Sequence, residues 1–304
     1  MCFFMIFIIF ECRKFHKNAT YLLASMYVSW FECFLATLII LPYKYGIINL
    51  AEPTQIFEGF EDLDNYLQLE ELNLKSIPVL IAGFLFWHYL AVVNSGFCVF
   101  LIERTVATVL FNDYESKNRP KLTISIVVVH QIYALFLAII PFFHMVSFRD
   151  FLGSNAFSMF IIIPHLLILK YYNTQRRKNM KLAKNIAKNS LAAKFQTEEN
   201  VRSITLAFRI FSIVILFNLV FLTIIYLGIA KVPGEKYYFQ VAEHMIFFGP
   251  IVLVPAMISS EKDWKNRFLE KLRIKKSLKI LPEVSGRTQD TTDEYFKQLR
   301  SAWA

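Results

Sequence analysis

Apolar residues in this chain fall into long blocks divided by short charged stretches. Ser76 to Ile102 is the clearest case, with 27 residues and no Asp, Glu, Lys or Arg. Crossing a bilayer takes roughly 20 such residues. Blocks of this kind predict helical spans over about 1–10, 19–41, 76–102, 122–148, 151–169, 210–230 and 237–260. Pro42 is expected to end the second span, Arg149 and Asp150 to form a tight turn before the fifth, and Pro164 to kink the fifth. Pro233-Gly234 should turn the chain between the last two. The first block has only 10 residues. At about 1.5 Å per residue it covers about half of a 30 Å hydrocarbon layer. A signal peptide fits it poorly, because the positive charges follow the apolar run and no small-x-small cleavage site is present. The prediction is an all-α membrane protein, a seven-transmembrane helix bundle whose first helix lacks its outer half.

The polar segments complete the organisation. Glu103 to Lys121 reads as a polar loop, so Glu103 and Arg104 stand side by side where the third span meets water. Between 170 and 209, ten Lys or Arg face only Glu198 and Glu199. Ala183, Ile186, Ala187, Leu191 and Phe195 recur there at helical spacing, as if the fifth helix continued out of the membrane. Trp264, Phe268 and Leu272 lie four apart among basic residues, so 261–281 reads as an amphipathic helix on the membrane surface. From 282 to 304 the chain reads as a mobile tail.

Composition agrees with the blocks. Hydrophobic residues make up 56% of the chain and charged residues 19%, with only 9 Gly and 10 Pro, so the apolar excess is not low-complexity sequence. Charge sets the orientation. Segments after the first, third and fifth spans, plus the tail, carry 3, 4, 10 and 11 Lys or Arg. Segments after the second, fourth and sixth carry 2, 1 and 2. The positive-inside rule puts the first group in the cytosol, with the amino end outside and the carboxyl end inside. The net charge of +9 therefore flanks apolar runs and is not a nucleic-acid footprint. The glycosylation pattern Asn18-Ala19-Thr20 falls on the cytosolic side, where it is a false positive. The outer segment from Lys44 to Lys75 is acidic, a solvated surface or a weak repellent for anionic ligands.

Few residues carry chemistry. None of Cys2, Cys12, Cys33 and Cys98 falls in an outer loop, so a disulfide framework is not supported. No histidines pair at helical spacing, and there is no Gly-rich phosphate loop, Gly-x-Ser-x-Gly or Cys-x-x-Cys. Neither an enzyme nor a cofactor is expected. Glu32 lies well inside the second span, where an ionisable group costs about 3 kcal/mol on insertion scales, so it should face the bundle. It is either a protonated carboxyl bonded to neighbouring helices or part of a cation or ligand site. Glu243 and His244, two turns inside the outer end of the seventh span, are placed to touch a polar ligand group or to bond between helices. His88, Asn94 and His130 are single polar groups of the kind that glue helices together.

Seven spans, an outer amino end and an acid-arginine pair closing the third helix resemble the rhodopsin-like receptor plan. A narrower resemblance covers nearly the whole chain. Arg13-Lys14-Phe15-His16-Lys17-Asn18, Trp30-Phe31-Glu32 and Pro42-Tyr43-Lys44-Tyr45-Gly46 look like the nematode serpentine chemoreceptors of class epsilon, the Sre family. So do Glu103-Arg104 with Asp113-Tyr114-Glu115 and Arg119-Pro120, and Glu243-His244 and Gly249-Pro250 before Asp263-Trp264. The resemblance implies a G-protein-coupled chemosensory receptor of the plasma membrane or sensory cilium. It would detect a small-molecule ligand and signal through a heterotrimeric G protein. It implies that Arg104 is held by Glu103 or a partner on the sixth helix and released on activation; the alternative is a basic anchor snorkelling to the interface. The basic segments would contact the G protein, anionic inner-leaflet lipid, or both. The chain departs from the wider plan in having no cysteine clip, no proline in 210–230 and no Asn-Pro-x-x-Tyr string. Two other classes stay open. A ligand-gated channel or carrier would thread Glu32, His88 and Glu243, and a non-functional remnant would explain the short first helix.

Overall fold

The computed structural model describes residues 2–12, 17–48, 74–109, 120–143, 145, 148–182, 191–230 and 232–272. The acidic stretch 49–73, Asp113-Tyr114-Glu115 with Arg119, the basic stretch 183–190 and the tail from 282 lie outside the described residues. The helices are α1 (Cys2–Cys12), α2 (Lys17–Lys44), α3 (Ile77–Val109), α4 (Pro120–Phe142), α5 (Phe148–Leu182), α6 (Leu191–Ile229), α7 (Glu235–Ser260) and α8 (Lys262–Lys271). No strand occurs among the described residues. Six helices, α2 to α7, are long and apolar enough to cross a membrane, and α1 is a shorter apolar helix.

The outer faces explain why such a bundle needs lipid. On α4, Val129 and Phe136 are each 64% exposed, and Phe160 on α5 is 75% exposed. In water such continuous apolar patches would drive aggregation; in a bilayer they face hydrocarbon. Helical hydrogen bonding satisfies most backbone polar groups along the spans, as a bilayer requires, with Pro141, Pro164, Pro250 and Pro255 each withholding one donor.

Packing centres on α3, which touches α2, α4, α5 and α6. One core joins most of the bundle through Met5, Ile8, Leu22, Phe100, Leu166, Ile204, Val254 and Trp264. A smaller one lies between α3 and α4, where Ala91, Ala134 and Ala138 are buried. Small residues there let backbones approach and gain dispersion contact, the main attraction between helices in lipid. Between α2 and α3 the approach is closer still: a Cβ on Gly96 would stand 2.6 Å from Met26 Cε.

Several boundaries differ from the sequence expectation. The third helix does not end at Ile102 but runs to Val109, so Glu103 and Arg104 lie inside it and not in a loop. Thr105 and Thr108 donate back to the carbonyls of Leu101 and Arg104 at 2.8 Å, and the two charges neutralise each other, so the helix continues through them. Pro42 lies within the last turn of α2, which ends at Lys44. The chain turns only afterwards, at Gly46 with a positive φ of 68°. Arg149 and Asp150 belong to the first turn of α5. That helix ends at Leu182, and Leu191 and Phe195 open α6 instead of extending α5. α8 also packs into the bundle by one face. Trp264 is fully buried against the bundle, and α8 packs on α1 and α7. Lys271 reaches Glu11 at 3.2 Å and lies 3.7 Å over the Phe7 ring, fastening α8 to the short α1.

Candidate functional site

Arg104 is the largest buried charge among the described residues and is 0% exposed, with Glu103 at 1%. Removing either ion from water costs several kcal/mol, so the pair persists only where further polar groups complete it. Glu103 takes two hydrogen bonds from the guanidinium, Nε to Oε2 at 2.5 Å and Nη2 to Oε1 at 2.6 Å. The remaining nitrogen, Nη1, turns to α6. It lies 3.3 Å from Ser203 Oγ, 3.5 Å from Asn200 Oδ1 and 3.9 Å from Glu199 Oε1. Asn200 and Ser203 are three apart, so one helical turn of α6 presents both to α3.

Contacts from α3 to α5 in the same layer are of another kind. His165 Nε2 and Thr105 Oγ1 are 2.8 Å apart. Asn173 Nδ2 donates to Thr108 Oγ1 at 3.2 Å and to Leu169 O at 2.9 Å, and Arg176 donates to Thr108 O at 3.3 Å. α5 is thus held by several hydrogen bonds of ordinary length. α6 meets the Arg104 guanidinium through Nη1, at 3.3 to 3.9 Å. Near its middle α6 is tied to α7, where Arg209 donates to Ser260 O at 2.9 Å.

The other singled-out residues divide. Glu32 and His88 meet across α2 and α3, Oε2 to Nδ1 at 2.5 Å. Nε2 of His88 is buried with no hydrogen-bond partner among the described residues. His130 Nε2 stands 2.9 Å from Ser95 Oγ, which itself donates to Ala91 O at 2.6 Å. Ser95 is therefore the acceptor in the first contact and His130 Nε2 the donor. Asn94 is half-buried on α3. His244 is exposed on α7, with Nδ1 2.7 Å from Gln240 O one turn back. The Glu243 side chain lies outside what the structure describes. Glu32 and His88 are brought together; His244 is engaged on its own helix, apart from them.

A partly open space does lie in the bundle, between α2, α3, α6 and α7, with a volume of about 80 Å³. Its wall includes Tyr27, Trp30, Tyr89, Phe97, Phe211 and Met257, and none of Glu32, His88, Asn94 or His244. Among the described residues no group of three or more His, Cys, Asp or Glu converges as a metal site.

Sequence reasoning missed Glu199, Asn200, Ser203, His165 and Asn173. A signal for the α6 set exists. Asn200 and Ser203 share a helical face with Ala207, Ile210 and Val214, so polar residues continue an apolar stripe at a period near 3.6. Polar groups on the core side of a helix need partners inside.

The sequence profile described as Sre G protein-coupled chemoreceptor matches residues 1–304. The chain belongs to the Sre family. It is thus a multi-pass membrane protein, a seven-transmembrane chemoreceptor of the G-protein-coupled kind. Serpentine receptor class epsilon-45 of Caenorhabditis elegans is 28% identical over 320 residues, covering 98% of this chain and 85% of that receptor. Class epsilon-31 of the same organism is 28% identical over 323 residues, covering 98% and 87%. Class epsilon-38 is 26% identical over 313 residues, covering 96% and 85%. No solved structure matches. Sre membership is that of a receptor class.

Proposed function

We propose that this Sre receptor sits in the plasma membrane with Arg104 toward the cytosol, and that the Arg104 layer is its switch. In the resting packing Glu103 and the α6 residues Glu199, Asn200 and Ser203 hold the guanidinium. A small-molecule ligand that fits a looser packing better than this one shifts the population toward it, by no more than its difference in affinity. α6 then leaves α3, and Arg104 lines a groove for a heterotrimeric G protein. The observation that carries the reading is the asymmetry at α3. Thr105 and Thr108 meet His165, Asn173 and Arg176 of α5 at 2.8 to 3.3 Å, while Ser203, Asn200 and Glu199 of α6 converge on Arg104 Nη1 at 3.3 to 3.9 Å. Full burial of Arg104 weighs against the snorkelling anchor, whose charged head would reach water.

The cytosolic placement rests on the excess of Lys and Arg at this end of the bundle. The same residues favour anionic inner-leaflet lipid, at about 1 kcal/mol per charge near the surface. The apolar wall of the space between α2, α3, α6 and α7 offers no polar path and favours a receptor over a channel or carrier. The test is ligand-free second-messenger output at matched surface abundance. Variants that loosen α6, such as Ser203→Ala, should raise it. If they leave it at the wild-type level, the Arg104 layer is not the switch.

A further inference from the structure

Among the described residues, none that line the space between α2, α3, α6 and α7 is charged. Its aromatic and thioether groups make it a site for apolar surface. An ion there would lose its hydration with nothing to replace it. The nearest carboxylate in sequence, Glu32, is already engaged by His88 and does not line the space. Two polar hydrogens at its wall have known partners. Trp30 Nε1 donates to Phe247 O at 3.2 Å. Tyr27 Oη donates to Met257 Sδ at 2.6 Å. A backbone carbonyl is a strong acceptor and a thioether a weak one, so of these two the Tyr27 hydroxyl is the donor that a better acceptor would capture, with the Tyr89 hydroxyl on the same wall.

We infer that the ligand is a small neutral molecule, apolar over most of its surface and bearing one acceptor such as a carbonyl oxygen, bound in this space with that oxygen on Tyr27. The inference rests on the receptor reading for its meaning as a ligand site. Size links it to the switch. The volume of about 80 Å³ is about half of the roughly 150 Å³ cavity that accepts benzene. An occupant with a six-membered ring seated wholly within it therefore widens the space. Met26 and Met257 can give way first, being unbranched and flexible. The wall also includes Leu101 and Leu206, each one helical turn from the lock residues Arg104 and Ser203. Widening the space between α3 and α6 at that level stretches the long Nη1 contacts next to it.

The experiment uses the purified full chain in detergent and three probes of like size: cyclohexanone, methylcyclohexane and cyclohexylammonium. Thermal unfolding is followed against probe concentration. Ala207→Leu, which fills the space from α6, corrects for probe dissolved in the micelle. Cyclohexanone and methylcyclohexane are expected to raise the wild-type midpoint, and cyclohexylammonium is not. Tyr27→Phe should weaken cyclohexanone up to about tenfold, the value of one hydrogen bond, and leave methylcyclohexane unchanged. Because Ala207→Leu puts bulk into a packed region, Phe97→Ala serves as the opposite variant. It enlarges the space and should accept cyclooctanone more tightly than wild type does. The inference is overturned if cyclohexylammonium stabilises as well as cyclohexanone, or if no probe acts differently on wild type, Ala207→Leu and Phe97→Ala. Lock variants that raise basal signalling beside such a result would leave the switch standing and remove this site alone. Probe binding without any effect of lock variants would do the reverse.

Discussion

Changing Glu199 to Gln keeps the shape of the side chain and removes one charge from the α3–α6 contact. Glu199 Oε1 lies 3.9 Å from Arg104 Nη1, with the two side chains 5% and 0% exposed. Two unit charges at about that distance attract by about 4 kcal/mol at an effective dielectric of 20. Two effects reduce this. Glu103 already matches the guanidinium one to one at 2.5 and 2.6 Å, so Glu199 meets a pair with little net charge. Gln also keeps an acceptor oxygen in place. A loss of about 1–2 kcal/mol from the resting packing remains, which changes a two-state ratio by a factor of about 5–30. The expected result is ligand-free second-messenger output raised about 5- to 30-fold while the active state is still a minority. The assay compares Glu199→Gln with wild type in cells supplying a G protein, each normalised to surface receptor counted by an extracellular amino-terminal tag. Unchanged or lower basal output at equal surface abundance would refute the idea that Glu199 holds the resting state. The sign separates the two roles of the layer, since losing a G-protein contact lowers output and losing a restraint raises it.

Other expectations concern packing and topology. Glu32→Leu leaves His88 without its partner and should cost about 1–3 kcal/mol, read as a lower unfolding midpoint in detergent; adding His88→Leu should recover part of it, because both polar ends are then gone. Trp264→Ala removes a fully buried side chain and should cost about 3–5 kcal/mol, whereas a helix floating on the membrane surface would lose far less. Gly96→Val should cost about 1–3 kcal/mol by overpacking against Met26, and Met26→Ala in the same chain should offset most of that. A carboxyl-terminal tag should be reached by antibody only after cells are permeabilised; labelling of intact cells would invert the orientation.

The sequence was informative where physics is local. Uninterrupted apolar blocks are legible because lipid admits a helix only if nearly every residue tolerates hydrocarbon. Six membrane-length helices and a short apolar α1 follow from that alone. The Glu103-Arg104 pair drew notice because adjacent opposite charges at the end of an apolar run are rare. Its depth was misread for the same reason: charge normally marks the water boundary, and here mutual neutralisation lets the helix pass through to Val109. Pro42 misled in a similar way, since a proline near a helix end restrains the residue before it without unwinding a turn already formed.

Partnership across helices was not legible. Nothing local to Glu32 names His88, 56 positions away, and nothing local to Arg104 names Ser203, 99 positions away. Glu32 and His88 are paired with each other and His244 is engaged on its own helix, while the space between the helices is lined by aromatic and thioether side chains that read in sequence as ordinary span residues. Helix identity and membrane threading are set by how each residue meets solvent, which the chain states one position at a time. Which buried groups satisfy each other, and what volume they leave, depends on the rotation and separation of whole helices. Those are settled only when all of them pack together.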